Sequence, residues 1–508
     1  MTIDPTTPVV VAVGQTVDFW DGSNPAAAPS PLALAVRAGS AALADSGAAV
    51  ALTAAIDSVF FVRTMADSVP GAPQPFGRCA NLPATLAARL GIAAAQAVYS
   101  VVGGDQPQAL VAEACAAVHA GTARAVLIAG AEATATLKSA TRKGIALDWS
   151  ASVDSPLEDR GLGAPLLSAY ELTNGLGAPT TTYPAFEHAL RARLGLTRTA
   201  HVALMSELWA GFSRVAAANP YAQFPQARTA EFLATPSPEN YPVADPYLKW
   251  HVAQDAVNQG AAVVVTTVGE AARLGIAADR MIYLHGSARA ADRLVTERAD
   301  LSRSPAIAGT LALTLDAAET TASHIAHFDL YSCFPCAVLL AAEALGLDWR
   351  TTPATVTGGL PFFGGAGNNY SLHAVATMVD RLRARPGDFG LVLANGGFLS
   401  KVAVGIYSAQ PRAWSARPQA RQAAIDAAPA PRLLAETCSA TVETFTVVAA
   451  KSVPARGYVI ARNTQGRILA RVRGGDTAMM AAMVAGDPIG REVQIVHDNG
   501  MNVATTFG

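Results

Sequence analysis

Short runs of four to eight apolar residues, mostly Val and Ala, alternate along most of this chain with longer Ala-rich stretches of helical composition. These runs lack the polar alternation of a strand with one wet face. They read as strands buried on both faces, the pattern of a largely parallel α/β protein with helices on each side of the sheet. The clearest are Val9–Val13, Ala125–Ala129, Ala261–Thr267, Gly390–Ala394 and Val402–Tyr407. Mean hydropathy is +0.27, yet no run approaches the roughly 18 uninterrupted apolar residues that span a bilayer. At 508 residues, 51% hydrophobic and 15% charged, the chain can bury several cores, which excludes overall disorder.

Charge and composition narrow the function classes. The 37 Lys and Arg against 39 Asp and Glu leave a net charge of −2 without a block of like charges. A nucleic-acid protein needs a basic footprint to displace counterions, and none exists here. Nothing basic precedes the apolar run at Val9–Val13, so a signal peptide is disfavoured. Five cysteines do not make a disulfide framework, and a reducing cytoplasm is the expected compartment.

A long irregular section from about 136 to 240, rich in Pro, Tyr and Trp, reads as an inserted loop domain with helices at Glu187–Leu194 and His201–Ala218. Two segments outside it look like copies of one unit. Ala95–Val102 leads through Gly103-Gly104-Asp105-Gln106-Pro107 into a helix at Gln108–His119, stopped by Gly121. His327–Leu330 leads through Tyr331-Ser332-Cys333-Phe334-Pro335 into a helix at Cys336–Leu345, stopped by Gly346. Each has a cap-type residue (Asp105, Ser332), a proline in the first turn and a glycine stop. After Tyr407 the chain turns to Ala, Pro, Arg and Gln, which suits a linker. Beyond it, five short strands (Thr441–Val448, Gly457–Arg462, Arg467–Val472, Glu492–His497, Asn502–Phe507) and one helix (Thr477–Ala485) suggest a small barrel of OB type.

The loudest short motif is Cys333-Phe334-Pro335-Cys336 at a helix start. No thioredoxin-sized domain frames it and no second ligand pair has metal spacing, so small residues packing a helix start is the favoured reading, and no metal site is expected. Three glycine-rich turns follow: Gly103-Gly104, Gly358–Asn369 and Asn395-Gly396-Gly397. None continues as a Walker loop or opens a Rossmann unit. Glycine there permits tight turns and close ligand approach to backbone N–H groups.

The order of these pieces resembles the thiolase superfamily over about Pro8–Ser408. The turn after Ser100-Val-Val-Gly103 stands at the nucleophile elbow, and Ala125–Glu132 resembles the strand after it. Asp329-Leu-Tyr331-Ser-Cys333-Phe334 matches the Asn-Glu-Ala-Phe or His-Asp-Cys-Phe position. Gly358–Ser371 matches the stretch around Gly-His-Pro, and Asn395-Gly-Gly397 the last catalytic loop. The resemblance implies a five-layered αβαβα sandwich of two pseudo-symmetric βαβαβαββ halves. The expected organisation is residues 1–270 as the first half with the loop domain about 136–240 inserted, 271–408 as the second half, a linker at 409–432 and the OB-like domain at 433–508. Within the superfamily the chain resembles bacterial non-classical thiolase-like proteins with an extra C-terminal OB-like domain, often described as acetyl-CoA acetyltransferases. It also resembles the thiolase-fold aldolases of steroid side-chain breakdown, which lack the acylated cysteine and pair with a separate OB-fold protein.

The departures bear on chemistry. The place of the acylated cysteine falls on Gly103, that of the activating histidine on Gly365, that of the base cysteine on Leu393 or Ala394, and that of the oxyanion-hole Asn or His on Tyr331. A glycine cannot be a nucleophile, so ping-pong thiolysis is excluded. The remaining catalytic candidates are Tyr331 as proton donor or shuttle, His373 and Asp105. Coenzyme A or an acyl-CoA is the expected ligand, held by Gly103, Gly364, Gly365, Gly367, Asn368, Asn395, Gly396 and Lys249, with no permanently bound cofactor. Three functions fit: an acyl-CoA-binding protein of acyltransferase lineage, a retro-aldol lyase on a β-hydroxyacyl-CoA, and a non-catalytic CoA-ester scaffold. The sequence leaves homodimer and monomer both open.

Overall fold

The computed structural model describes residues 3–415 and 422–508. Met1 and Thr2 of the N-terminal reading, and 416–421 of the expected linker, lie outside the described residues. The strands in chain order are β1 (Pro8–Val17), β2 (Ser58–Phe61), β3 (Gln96–Tyr99), β4 (Ala125–Ala133), β5 (Glu158–Asp159), β6 (Pro242–Ala244), β7 (Tyr247–Leu248), β8 (Asn258–Thr267), β9 (Ile282–Ala291), β10 (Ile325–Leu330), β11 (Phe389–Gly396) and β12 (Lys401–Ser408). The barrel strands are β13 (Cys438–Ala450), β14 (Val453–Arg462), β15 (Arg467–Val472), β16 (Glu492–Asp498) and β17 (Met501–Phe507). The main helices are α1 (Pro31–Asp45), α2 (Leu82–Leu90), α3 (Gln106–His119), α4 (Pro179–Arg193), α5 (Arg198–Ala217), α6 (Pro305–Ala317), α7 (Pro335–Leu345), α8 (Tyr370–Ala384) and α9 (Thr477–Gly486).

All five apolar runs named above become strands buried on both faces. Five layers result. α1 and α2 cover the outer face of the first half. α3 and α8 lie between the halves, each touching strands of both, and α6 and α7 cover the outside of the second half. The halves do not form separate sheets. β1 and β9 pair through Val9–Tyr283 and Val10–Ile282, giving one mixed sheet in the order β10-β11-β12-β9-β1-β8-β4-β2-β3-β5. Nor are the halves fully equivalent, because the second lacks its third strand. The segment 354–357 keeps one strand-like bond, Leu330 N to Ala354 O at 2.9 Å. It otherwise wraps the buried Asp329, whose Oδ2 accepts from the N–H groups of Val356 and Thr357 at 3.1 Å each and from the hydroxyls of Thr355 and Thr357 at 2.9 Å each. A carboxylate that takes two backbone donors leaves fewer for a ladder.

The helix boundaries follow local chemistry with three exceptions. Pro107 and Pro335 sit in first turns, and Gly346 closes α7 in the left-handed conformation. The expected side-chain caps do not form. Asp105 is in helical φ/ψ and caps nothing, and Ser332 precedes the true N-cap, Phe334. The Ser332 hydroxyl instead accepts from Leu360 N at 3.1 Å. A capping side chain needs an extended backbone at its own residue. The third exception is α4, which starts at Pro179, well before Glu187, and tolerates Pro184 in its interior because both faces of the helix are buried.

The C-terminal strands close into a barrel in the order β13-β14-β15-β17-β16 and back to β13, with β15 and β17 parallel and α9 between β15 and β16. That is the OB arrangement. The barrel is docked firmly on the loop domain. β13 pairs with β6 at Val448–Ala244, and the Thr444 hydroxyl donates to Ala185 O at 2.6 Å. Tyr170 OH donates to Leu434 O and accepts from Leu469 N, both at 2.9 Å. The fully buried Arg467 pairs with Glu443 at 2.6 Å and donates to the carbonyls of Thr296, Arg298 and Ala299. Tyr458, Ile460 and Leu469, on β14 and β15, join the largest apolar core of the α/β body. The described part of the expected linker is also pinned: residues Gln422–Ala427 are helical, and the Gln422 amide bonds both N and O of Ala291.

Candidate active site

The turn from β3 into α3 places its residues at the centre of the molecule. Ser100 Oγ accepts from Arg63 N at 3.0 Å, which ends β3 against its neighbour. Gly103 follows with φ +153°, and Gln106 N returns to Gly103 O at 3.1 Å, starting the helix. Facing this turn are Tyr331 at the end of β10, tied by its N–H to Leu393 O at 3.1 Å, and Asn395-Gly396 at the end of β11. The fold therefore unites Gly103, Asp105, Tyr331, Asn395 and Gly396 from three distant segments. A methyl group added at Gly103 or Gly396 would collide with Asp105 Oδ1. One added at Gly104 would collide with the Tyr331 hydroxyl and come within 2.5 Å of Asn395 O. Glycine is required there by close approach.

Asp105 is buried, with Oδ2 accepting from Gln106 Nε2 at 2.9 Å and Oδ1 lacking a donor among the described residues. Burial pushes its carboxyl above the usual range, against the pull of the Lys401 and Arg289 charges. Lys401 Nζ also donates to Val102 O at 3.1 Å. Burial, with Cys333 and Asp105 nearby, raises the Tyr331 phenol far above its ordinary value, so it stays a neutral donor. Asn395 Nδ2 donates to Tyr183 OH at 3.1 Å and approaches Cys333 Sγ at 3.8 Å, while its Oδ1 has no donor. Tyr183 stacks on Phe334 at 4.1 Å between centroids. Tyr183 and Lys401 escaped sequence reasoning, and Cys333 reads there only as a packing residue. Lys401 left a signal, a cation opening a strand that is apolar from Val402 to Ile406.

Cys333 thus lies at this site while also packing the start of α7 in the apolar core. Burial, first among the causes, pushes its thiol up to about 12. Cys336 lies 3.9 Å from Tyr247 OH, and burial raises its thiol well above the ordinary value.

The other candidates lie apart or are already occupied. His373 is linked to Tyr331 through the rings of Tyr370 and Phe363, at successive centroid spacings of 5.5, 6.0 and 5.1 Å. Its Nδ1 donates to Gln15 Oε1 at 2.9 Å, its Nε2 has no partner, and burial pulls it down to about 3. The N–H of Gly365 donates to Gln254 O, and that of Gly367 to Gly365 O, both at 2.8 Å. Gly364 faces Gln259 Oε1 and Gly367 faces the Glu132 carboxyl, which burial raises to about 8. The Asn368 amide is spent on Arg63 O at 2.8 Å and Ser68 Oγ at 2.9 Å. Lys249 stands 4.9 Å over the Trp250 ring and 5.8 Å from the Tyr241 ring, sharing no contact with the elbow.

Asp105 and Tyr331 are each 6% exposed. None of the three best-formed cavities reaches Gly103 or Tyr331. Among the described residues no group of three His, Cys, Asp or Glu is placed to hold a metal, and no helix is long and apolar enough to cross a membrane.

Comparison with known proteins agrees with this architecture. Residues 421–500 match the family model of the thiolase-like protein type 1 additional C-terminal domain. The crystal structure of a monomeric SCP2-thiolase-like protein type 1 from Mycobacterium smegmatis is 36% identical, covers 99% of this chain and 100% of that one, and superposes with a TM-score of 0.84. Human mitochondrial 3-ketoacyl-CoA thiolase (15% identity, 80% of this chain and 100% of that one, TM-score 0.57) shares the fold. So does the Ltp2-ChsH2(DUF35) aldolase (20% identity, 80% and 98%, TM-score 0.55). No curated protein sequence matches.

Proposed function

The chain belongs to the SCP2-thiolase-like protein type 1 family, and on that footing we propose that it binds a CoA thioester at the head of α3 without ever carrying the acyl group covalently. The observation behind this reading is Gly103. It offers no nucleophile, and the space a side chain would need is taken by Asp105 Oδ1. Cys333 does not substitute, because a thiol at about 12 is neutral at physiological pH and only the thiolate attacks. In the bound state the Tyr331 hydroxyl donates to the thioester carbonyl. Because the elbow is nearly closed, binding requires side chains around Tyr183 and Phe334 to give way. We place the protein in a reducing cytoplasm, where its five free thiols persist. We take it to be a monomer, since the acidic pair of β5 covers the sheet edge at β3.

One observation favours a second reading, carbon–carbon cleavage of a β-hydroxyacyl-CoA. Two buried acceptors without donors, Asp105 Oδ1 and Asn395 Oδ1, meet at this turn. Acceptors suit a hydroxyl group, not an oxyanion. Asp105 takes the β-hydroxyl proton as the bond between the α and β carbons breaks. The carbonyl fragment leaves, and the electron pair moves onto the thioester as an enolate that Tyr331 stabilises before it is protonated at carbon. The scaffold reading needs a free barrel face, and the β14–β15 face is consumed inside the chain.

Calorimetric titration with acetyl-CoA, and intact-mass spectrometry after incubation, test the proposal. Binding insensitive to iodoacetamide and free of any acyl adduct is the expected result, with binding lost in Gly104→Phe. Asp105→Asn keeps binding and loses any release of aldehyde or ketone from a 3-hydroxyacyl-CoA. An acyl adduct on a cysteine, or no affinity for any CoA ester, overturns it.

A further inference from the structure

A cavity of about 660 Å³, the size of a small-molecule site, lies between α5, the C-terminal half of α8 and the 349–356 segment. Its walls are apolar: Leu208, Phe212 and Val215 from α5, with Trp349, Pro353 and Val356 opposite. The polar groups at its floor are spent on each other. Gln15 donates to Thr377 Oγ1 at 3.1 Å and accepts from His373, and the Asn219 amide donates to Thr357 O at 3.1 Å.

The charges at its mouth are unbalanced. Arg350 and Glu207 cancel in a two-pronged pair, 2.9 Å on each prong. Arg214 and Arg381 also line the cavity, and neither has a carboxylate partner among the described residues. The remaining acid, Asp380, lies 3.9 Å from Arg383. An apolar hollow with two uncommitted guanidinium groups at its rim is complementary to an amphiphile with one negative head.

We propose that this cavity binds an apolar chain ending in a single anionic head, carboxylate or phosphate, with the head on Arg214 and Arg381 and the chain along Leu208, Phe212 and Val215. The site is separate from the head of α3, so the proposal stands whether or not a CoA ester binds there.

Calorimetric titration of the full-length protein with laurate, dodecyl phosphate and uncharged dodecanol tests it, with Trp349 emission as a second reporter. Saturable binding of laurate or dodecyl phosphate is expected, the tighter of the two identifying the head group. Arg214→Gln combined with Arg381→Gln weakens it about tenfold or more. Gly211 lines the cavity, and a Cβ added there meets only Arg214 Nη2, at 3.9 Å, so Gly211→Leu puts its side chain into the hollow and removes a helix-interior glycine. That variant folds with unchanged or raised Tm and does not bind, so the test survives if the double arginine variant fails to fold. The proposal is overturned if neither anionic amphiphile binds or if dodecanol binds as tightly. Binding that persists in Gly211→Leu and disappears in Gly104→Phe overturns it too, by placing the ligand at the elbow.

Discussion

Placing a cysteine at position 103 tests the proposed function most directly. In Gly103→Cys the new Cβ meets two obstacles. The backbone at 103 has φ +153°, which side chains rarely adopt, and Asp105 Oδ1 already occupies the position. Backbone strain of this kind costs about 1–3 kcal/mol, and overpacking a filled interior about 1–3 kcal/mol more. Together these imply a loss of about 2–6 kcal/mol. With a urea slope of about 3 kcal/mol/M, the unfolding midpoint falls by roughly 0.7–2 M. Adding Asp105→Ser removes the obstructing carboxylate and recovers part of the loss, so the two changes are non-additive by about 1–3 kcal/mol. Urea titration followed by tryptophan fluorescence reads all four corners of this cycle. Mass spectrometry after acetyl-CoA treatment shows no acyl group on the introduced thiol. A single variant as stable as the parent, strict additivity, or an acylated Gly103→Cys protein would refute the reasoning.

Three further outcomes follow from buried groups. His373 is depressed from its ordinary value near 6.5 to about 3, so the unfolded chain takes up its proton first and stability falls as pH drops below 6.5; His373→Asn reduces the loss between pH 6.5 and 5 by about 2 kcal/mol, measured as urea midpoints at each pH, and an unchanged slope contradicts burial as the cause. Arg467→Met leaves Glu443 with Arg462 alone and strips three carbonyls of their donor, at about 1–3 kcal/mol for each acceptor left buried without a partner; hydrogen exchange quickens across 433–508 while β1 and β8 stay protected, and uniform protection would show that the barrel does not depend on this residue. Iodoacetamide labels the half-buried Cys79 and Cys438 before Cys115, Cys333 or Cys336, as peptide mapping shows; early labelling of Cys333 would mean a reactive thiol at the elbow.

The barrel illustrates how fusion changes a module's use. In an OB barrel the face of the second and third strands is the common ligand platform. Here Tyr458, Ile460 and Leu469 of those strands are buried in the body's core, and Arg467 anchors them. The module braces the loop domain that carries Tyr183.

Period and punctuation determined the architecture in advance. Val/Ala runs of strand length, glycine stops at Gly121 and Gly346, prolines in first turns and five short C-terminal strands each declare a local preference that tertiary packing had no reason to override. The absence of a nucleophile at Gly103 was equally legible, since glycine has no side chain in any fold. What the sequence concealed depends on contacts between residues hundreds of positions apart. That Asp105 fills the elbow instead of capping α3, that Cys333 stands beside Asn395, that His373 is bound to Gln15, and that Asp329 dissolves a strand are outcomes of which groups burial brings within hydrogen-bond reach. Local propensity carries no information about those encounters. Three-dimensional packing alone decides which polar group spends its bond on the protein and which is left to meet a ligand.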